Sequence, residues 1–415
     1  MSFFLLFSKA FMTFTDFSFD RRINAGVKLC GYDTPTPIQR KAIPLVQNGH
    51  DVMGLAQTGT GKTAAFALPI IQKLLTSTSS KQGPRVLVLA PTRELAFQID
   101  ESFTSLARQT DITSSIVIGG VSMQPQIKAF RASNIIVACP GRLVRLIARG
   151  AVDFKAIDTL VLDEADRMLD MGFLPDIRRV IAELPVKRQN LLFSATMPKS
   201  ILDLTKRILV NPKTVQINAT CPVSSVEHVF YKTQNDRKIA LLDEIITRSE
   251  HKSMLIFTRT KHKAKNLSRR LGDSGYNATV LQGNMSQGQR ERALNGFRDG
   301  RYSILVATDI VARGIDCDRI THVINYDMPD SVETYTHRIG RTGRAGRSGH
   351  AISLVTSEDA SQLRSIQMVM DVSIEQDAHS AHGTSRKNGA NPRKPSFHSP
   401  VKKTGRRRKR SPLPA

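Results

Sequence analysis

Cysteine is scarce in this chain. Cys30, Cys139, Cys221 and Cys317 are its only thiols, and their spacing matches neither a metal-ligand set nor a paired framework. That excludes a zinc-knuckle or disulfide-stapled protein and makes the thiols small core fillers in a reducing compartment. Long apolar runs are also missing. The N-terminal residues 1–7 are apolar, but they have no basic n-region and are too short for a secretion signal or a span. A cytoplasmic protein without a membrane role is expected. Acids are absent from residues 378–415, which hold 11 lysines and arginines. With few apolar residues to offset its ordering entropy, this tail is expected to be disordered. It reads either as an electrostatic grip on nucleic acid or as an inert solubilising tail. Phe397 is its one aromatic, so any grip would be largely indifferent to sequence.

What is present is an ordinary globular interior with an unusual charge. At 415 residues the chain can bury two or more cores, and 40% hydrophobic with 23% charged residues are typical values. The net charge is +24, and residues 1–377 still carry 49 basic against 36 acidic side chains. Both parts are basic, which points to a polyanionic partner.

The stretch Ala56-Gln57-Thr58-Gly59-Thr60-Gly61-Lys62-Thr63 comes after a short apolar run and precedes a helix-forming one. That is where a phosphate loop belongs. Gly59 and Gly61 let backbone N–H groups curl around phosphate oxygens, Lys62 reaches the terminal phosphates, and the Thr63 hydroxyl suits Mg²⁺. Ala56 stands where the strict pattern has glycine. About a hundred residues on, the apolar run Thr159-Leu160-Val161-Leu162 delivers Asp163-Glu164-Ala165-Asp166, as a buried parallel strand would at its C-terminal end. Asp163 suits Mg²⁺ through its water shell, and Glu164 suits the attacking water. A lone Asp-Glu pair would read as a solvated helix start; the phosphate loop decides against that.

Taken in order, residues 1–11 carry no readable motif and form a loose extension, or precede a true start at Met12. The pattern predicts a helix over residues 20–29, then a proline-rich turn opening a second helix that carries Gln39 in its first turn. That amide could read an adenine edge or merely cap the helix. Strands at 85–89, 115–118, 135–138, 160–162 and 191–193 alternate with amphipathic helices, which means a parallel sheet with helical crossovers. Polar clusters succeed these strands, and Arg93, Gly120, Gly141 and Arg142 offer charge and close backbone approach to a sugar-phosphate chain. Taken singly, each is better explained by a turn or a surface ion pair. Periodicity lapses at 218–225 and restarts with strands at 254, 278–281, 303–307, 321–325 and 350–355. This second α/β domain has no phosphate loop. In His337-Arg338-Ile339-Gly340-Arg341-Thr342-Gly343-Arg344, two arginines spaced by glycines could be donated to a γ-phosphate held by the first domain.

Together these strings, in this order, resemble the DEAD-box family of ATP-dependent RNA helicases over about residues 14–372. Within it, Arg167-Met168-Leu169-Asp170-Met171-Gly172-Phe173, Lys187-Arg188-Gln189-Asn190, Phe257-Thr258-Arg259-Thr260-Lys261-His262 and the basic tail are similar to the bacterial RhlE group. The resemblance implies two tandem RecA-like domains with parallel sheets flanked by helices, plus the tail. The expected limits are 1–12 for the extension, 13–218 and 226–372 for the domains, 219–225 for the linker and 373–415 for the tail. It also implies that Tyr32 stacks on adenine with Phe14 upstream, Gln39 reads its edge, and Asp316 contacts the ribose. Arg341 and Arg344 become arginine fingers. Ser194 and Thr196 couple hydrolysis to strand separation through the carboxylates ending in Asp166, with His337 at the domain seam. RNA contacts fall to Arg93, Gly120, Gly141, Arg142, Arg259, Gln282, Gly283 and Thr308. Cys139, Gln282 and Cys317 depart from the residues usual at their positions.

The function this implies is RNA-stimulated ATP hydrolysis that locally unwinds short duplexes or remodels RNA–protein complexes, with ATP and Mg²⁺ as cofactors. The protein is expected to act as a cytoplasmic monomer, in ribosome assembly or RNA decay. A DNA helicase, an RNA clamp gated by ATP and a small-molecule phosphotransferase are the competing readings.

Overall fold

Short apolar strands alternating with amphipathic helices build two all-parallel sheets. The computed structural model describes residues 12–57, 59–77, 83–217, 226–249, 253–312, 317, 319–343 and 348–370, all within the unit formed by residues 1–376. The extension 1–11, the linker 219–225 and the basic tail lie outside them.

The first sheet contains β1 (Val52–Leu55), β2 (Val86–Leu89), β3 (Ser114–Val117), β4 (Ile135–Ala138), β5 (Thr159–Leu162), β6 (Gln189–Ser194) and β7 (Lys213–Gln216). Their order across the sheet is β3-β4-β2-β5-β6-β1-β7, every pair parallel. Leu162 faces Leu192, and Leu55 faces Ser194, so β5, β6 and β1 end almost level. That ordering decides the site, because the loops leaving these three strands must share one stretch of sheet edge.

Burial on both faces explains the near-continuous apolar strands. Along β2, Val86 and Val88 pack with Phe66, Phe103 and Phe193, whereas Leu87 and Leu89 pack with Phe130 and Met168 on the opposite face. Each such side chain contributes about 1.5–3 kcal/mol when fully buried.

The second sheet contains β8 (Val226–Lys232), β9 (Met254–Phe257), β10 (Ala278–Leu281), β11 (Ile304–Ala307), β12 (His322–Asn325) and β13 (Gly349–Val355), in the order β10-β11-β9-β12-β13-β8, again all parallel. Both expected α/β domains are therefore present. β3 lies one residue earlier than its sequence signal. β7 and β8 have weaker signals: β7 is an edge strand with only Val215 buried, and β8 alternates sides instead of running apolar throughout.

The helix predicted over 20–29 spans Arg21–Leu29, with Asp20 accepting a capping bond from Arg22 N. Phe14 and Phe17 form a buried 3₁₀ turn ahead of it. Among the described residues, no helix is long and apolar enough to cross a membrane.

Candidate active site and nucleic-acid interface

The loop leaving β1 ends at Gly61, whose left-handed φ of 87° begins the helix Lys62–Thr76; Gly59 is left-handed too, at 80°. A side chain at 61 would be strained there and would also strike Gln39, since an added Cβ would lie 2.5 Å from Gln39 Nε2. Gln39 instead donates to Gly61 O at 3.1 Å and accepts from Thr36 N at 2.8 Å. The capping reading of this residue is realised on the helix Pro37–Gln47, and the same amide touches the phosphate loop. Lys62 is buried and donates to Ala56 O at 2.7 Å, while Thr60 donates to Gln57 O. Thr63 comes next in the first helical turn. Beside this, the Phe14 and Tyr32 rings lie near-parallel with centroids 6.1 Å apart, Phe14 buried and Tyr32 partly open.

Level with the loop, β5 delivers Asp163 and Glu164, both buried. Glu164 adopts φ 52°, an uncommon conformation that turns the chain sharply into the helix Ala165–Asp170. Burial pushes the Asp163 carboxyl up to about 7; Lys62 opposes the shift and Glu164 adds to it. For Glu164, burial is outweighed by Arg167, Arg341 and Lys62, which hold it below the usual carboxylate range. Arg167 is 1% exposed and ion-paired to Glu164.

The end of β6 closes the set. Asp166 accepts from Ala195 N at 3.1 Å, Thr196 N at 2.8 Å and Thr196 Oγ1 at 2.9 Å, and its own N–H donates to Ser194 Oγ. From the second domain, the helix Val332–Ile339 brings His337 within electrostatic reach of this carboxylate. Burial holds the imidazole well below its ordinary pKa and Arg167 adds to that, while Asp166 pulls the other way. Arg341, 2% exposed, donates to His337 O and extends its field to Glu164. The helix is fixed by Arg338, which bonds Asp309 at 2.6 and 2.7 Å and Asn325 at 3.0 Å. Thr58, Asp316 and Arg344 lie outside the described residues.

The expected nucleic-acid residues gather at the same edge of each sheet. Arg93 lies over Gly119 and Gly120, so close that a Cβ on Gly120 would collide with the guanidinium. Arg142 is buried, donates to Val121 O at 2.9 Å and leaves Nε without a partner. Gly141 stands in the first turn of the helix Pro140–Ile147, capped by Cys139. In the second domain, Arg259 lies just after β9 with its N–H on Asp327, and Thr308 lies just after β11. Gln282 lies just after β10 and accepts from Asn284 N, while Gly283 has open space where a Cβ would be.

One pair escapes sequence reading. Glu94 Oε1 meets Arg290 Nη2 at 2.6 Å across the two domains, both side chains buried. Alone, each is an ordinary helix residue; only the meeting of the helices Arg93–Leu106 and Gln287–Arg298 singles them out. Among the described residues, no group of three or more His, Cys, Asp or Glu could hold a metal by itself.

Comparison with known proteins agrees with this geometry. The DEAD/DEAH box helicase model matches residues 36–204 and the helicase conserved C-terminal domain model residues 237–346. The chain is 42% identical over 348 residues to RNA helicase CrhR of Synechocystis sp., covering 83% of this chain and 70% of that one. It is 40% identical over 365 residues to ATP-dependent RNA helicase DeaD of Escherichia coli, covering 87% of this chain and 58% of that one. The chain therefore spans little more than half of DeaD. S. cerevisiae Dbp5 bound to RNA and ADP BeF3 superposes with a TM-score of 0.80 at 31% identity, over 88% of this chain and 95% of that one. The two domains are thus tandem RecA-like helicase folds.

Proposed function

This chain belongs to the DEAD-box family of RNA helicases, and from that premise we propose that it hydrolyses ATP in an RNA-stimulated manner to open short duplexes or remodel RNA–protein complexes. The observation that carries the reading is the seam at which Asp166, Thr196, His337 and Arg341 meet. The loop and carboxylates belong to one domain and the arginine to the other, so the site is complete only when the domains close. Dbp5 in the matched structure holds RNA and ADP BeF3, and the same two ligands are assigned here to the sheet edges.

In this reading the loop 56–61 and Lys62 cradle the phosphates, Phe14, Tyr32 and Gln39 hold the adenine, and Asp316 contacts the ribose. Mg²⁺ would be held by Thr63 and, through water, by Asp163, and when bound it would neutralise phosphate charge. A carboxyl that burial raises to about 7 beside one lysine suits a dication. Glu164 takes the proton of the attacking water, and Arg341 and Arg344 donate to the charge that develops on the transferred phosphoryl group. Arg93, Gly120, Gly141, Arg142, Arg259, Gln282, Gly283 and Thr308 hold the RNA backbone. Asp166, Ser194, Thr196 and His337 link that grip to hydrolysis.

We assign the domains to 13–218 and 226–372, and place the chain with the RhlE-like group on the motifs around Arg167, Lys187 and Phe257. A cytoplasmic monomer acting in ribosome assembly or RNA decay fits this placement. The test is ATP hydrolysis by the full chain with and without RNA, and with DNA of equal length. RNA-selective stimulation is expected; equal stimulation by DNA, or none, overturns the reading.

A further inference from the structure

The helix Lys261–Asp273 presents its basic side chains outward in a way the active site does not explain. Ala264, Leu267 and Leu271 seat it on the core beside β10, leaving Lys261, Lys265 and Arg269 exposed at four-residue intervals. Asn266 and Arg270 flank them and are also exposed. The helix carries five lysines and arginines against a single acid, Asp273 at its last residue. A merely solvated helix face interleaves signs, because like charges four apart repel and cations oppose the positive helix N-terminus. Here the first turn carries Lys261 and Lys263 and no acid. The helix Arg93–Leu106, by contrast, offsets Arg93 with Glu94 and carries Asp100 and Glu101. Lys263 is neutralised by Asp327 at 3.0 Å, but no carboxylate lies within salt-bridge distance of Lys261, Lys265 or Arg269 among the described residues. The local electrostatic cost would be relieved by an external polyanion.

The position of the stripe says which polyanion. Lys261 Nζ lies 3.3 Å from Oδ1 of Asn284, the residue after Gln282 and Gly283, the two that the proposed function assigns to the RNA backbone. From there the three cations descend the outer flank over about 12 Å, at 1.5 Å per residue. We propose that this helix is a second phosphate track, which continues a bound RNA strand past the groove between the domains and down the flank of the second domain. It reads backbone only, since the exposed face carries no aromatic apart from His262 for bases to stack on. The inference rests on the RNA-helicase reading above.

The test compares the full chain with its Lys265→Ala/Arg269→Ala variant, binding by fluorescence anisotropy a short single strand that fills only the interdomain groove and a strand three times as long, over a salt series. Short-strand affinity and short-strand-stimulated ATP hydrolysis are expected to stay unchanged. Long-strand affinity should fall several-fold, and its log–log salt slope should shrink by about 1.4, or 0.7 per lost phosphate contact. A Lys128→Ala/Arg131→Ala variant removes the same charge from an exposed helix of the first domain and should leave both affinities unchanged. Equal losses for the two lengths, no loss for either, or the same loss in the first-domain control would overturn the track. Failure of any RNA to stimulate the wild-type chain would instead remove the premise, and the short-strand arm detects that separately.

Discussion

Glu94 and Arg290 form a buried ion pair between the two domains, 2.6 Å apart, with side chains 2% and 7% exposed. The contact is oblique: neither carboxylate oxygen of Glu94, nor Nε of Arg290, has an aligned hydrogen-bond partner. Burial raises the Glu94 carboxyl while Arg290 pulls it down, so the charges are dehydrated without being fully satisfied. Such a pair adds little net stability but is expensive to break from one side, at about 3–5 kcal/mol. Glu94→Ala and Arg290→Ala should therefore each reduce RNA-stimulated ATP hydrolysis by tenfold or more while leaving unstimulated hydrolysis and secondary structure intact. The Glu94→Ala/Arg290→Ala double variant should lose less than the two single losses combined, measured as a double-mutant cycle on kcat/KM. Additive losses would show that the pair does not couple the domains.

The contact between Gln39 and Gly61 makes a second prediction. Gly61→Ala forces a non-glycine residue into the left-handed region, costing about 1–2 kcal/mol, and drives a methyl group into the Gln39 amide. Nucleotide binding should weaken at least tenfold, read by titration with a fluorescent ATP analogue, while the melting temperature without nucleotide changes by only a few degrees. Gln39→Ala opens that space while giving up its own contact with the adenine, so adding Gly61→Ala to the Gln39→Ala chain should cost less binding than adding it to the wild-type chain; an equal cost on both backgrounds would place the whole Gly61→Ala defect in the backbone strain.

How much of this is legible in the sequence depends on the range of the interactions. The phosphate loop and the Asp163–Asp166 run declare themselves because backbone geometry and strand burial restrict the residues allowed at adjacent positions. The alternation of strands and helices is readable for the same reason, including β4 at 135–138. Glu94 and Arg290 are 196 positions apart, and neither violates any local rule, so nothing in the string marks them. Arg167 and Arg338 lie inside recognisable strings, but only packing reveals that one pairs with Glu164 and the other with Asp309. β7 and β8 escape a pattern reading because an edge strand needs few buried residues.

Asp166 takes three bonds from Ala195 and Thr196, which makes that segment a follower of the carboxylate. Thr196→Ala removes only the hydroxyl bond, worth about 1.5–3 kcal/mol to a charged acceptor. Hydrolysis of ATP with RNA is expected to fall by less than threefold, whereas strand separation of a short duplex falls by tenfold or more. Parallel loss of both activities would place Thr196 in the hydrolytic step instead of the link. Glu164→Gln should do the reverse and arrest hydrolysis by about 10²–10⁴-fold while RNA binding with ATP is retained; rapid turnover by that variant would remove Glu164 from the role of base.

His228 gives the pH dependence. It is buried, its Nδ1 lies 2.8 Å from the Tyr335 hydroxyl, and its Nε2 has no partner, so a second proton would have to be held without water. Burial accordingly lowers its pKa from the ordinary 6.5. The unfolded chain takes up that proton as pH falls through 6.5, while the folded chain resists it until a lower pH. Below 6.5 the unfolded state therefore binds more protons, and stability present above that value is lost as the solution is acidified, with a limiting slope of about 1.4 kcal/mol per pH unit. His337 is shifted the same way and adds to the trend. Gln at 228 can still accept from Tyr335 but does not titrate. His228→Gln should thus flatten the fall in unfolding free energy below pH 6.5 by up to one proton's slope, measured by denaturant melts at a series of pH values. If the variant and the wild-type chain lose stability in parallel on acidification, His228 is protonated in the folded protein and its burial does not govern the acid limb.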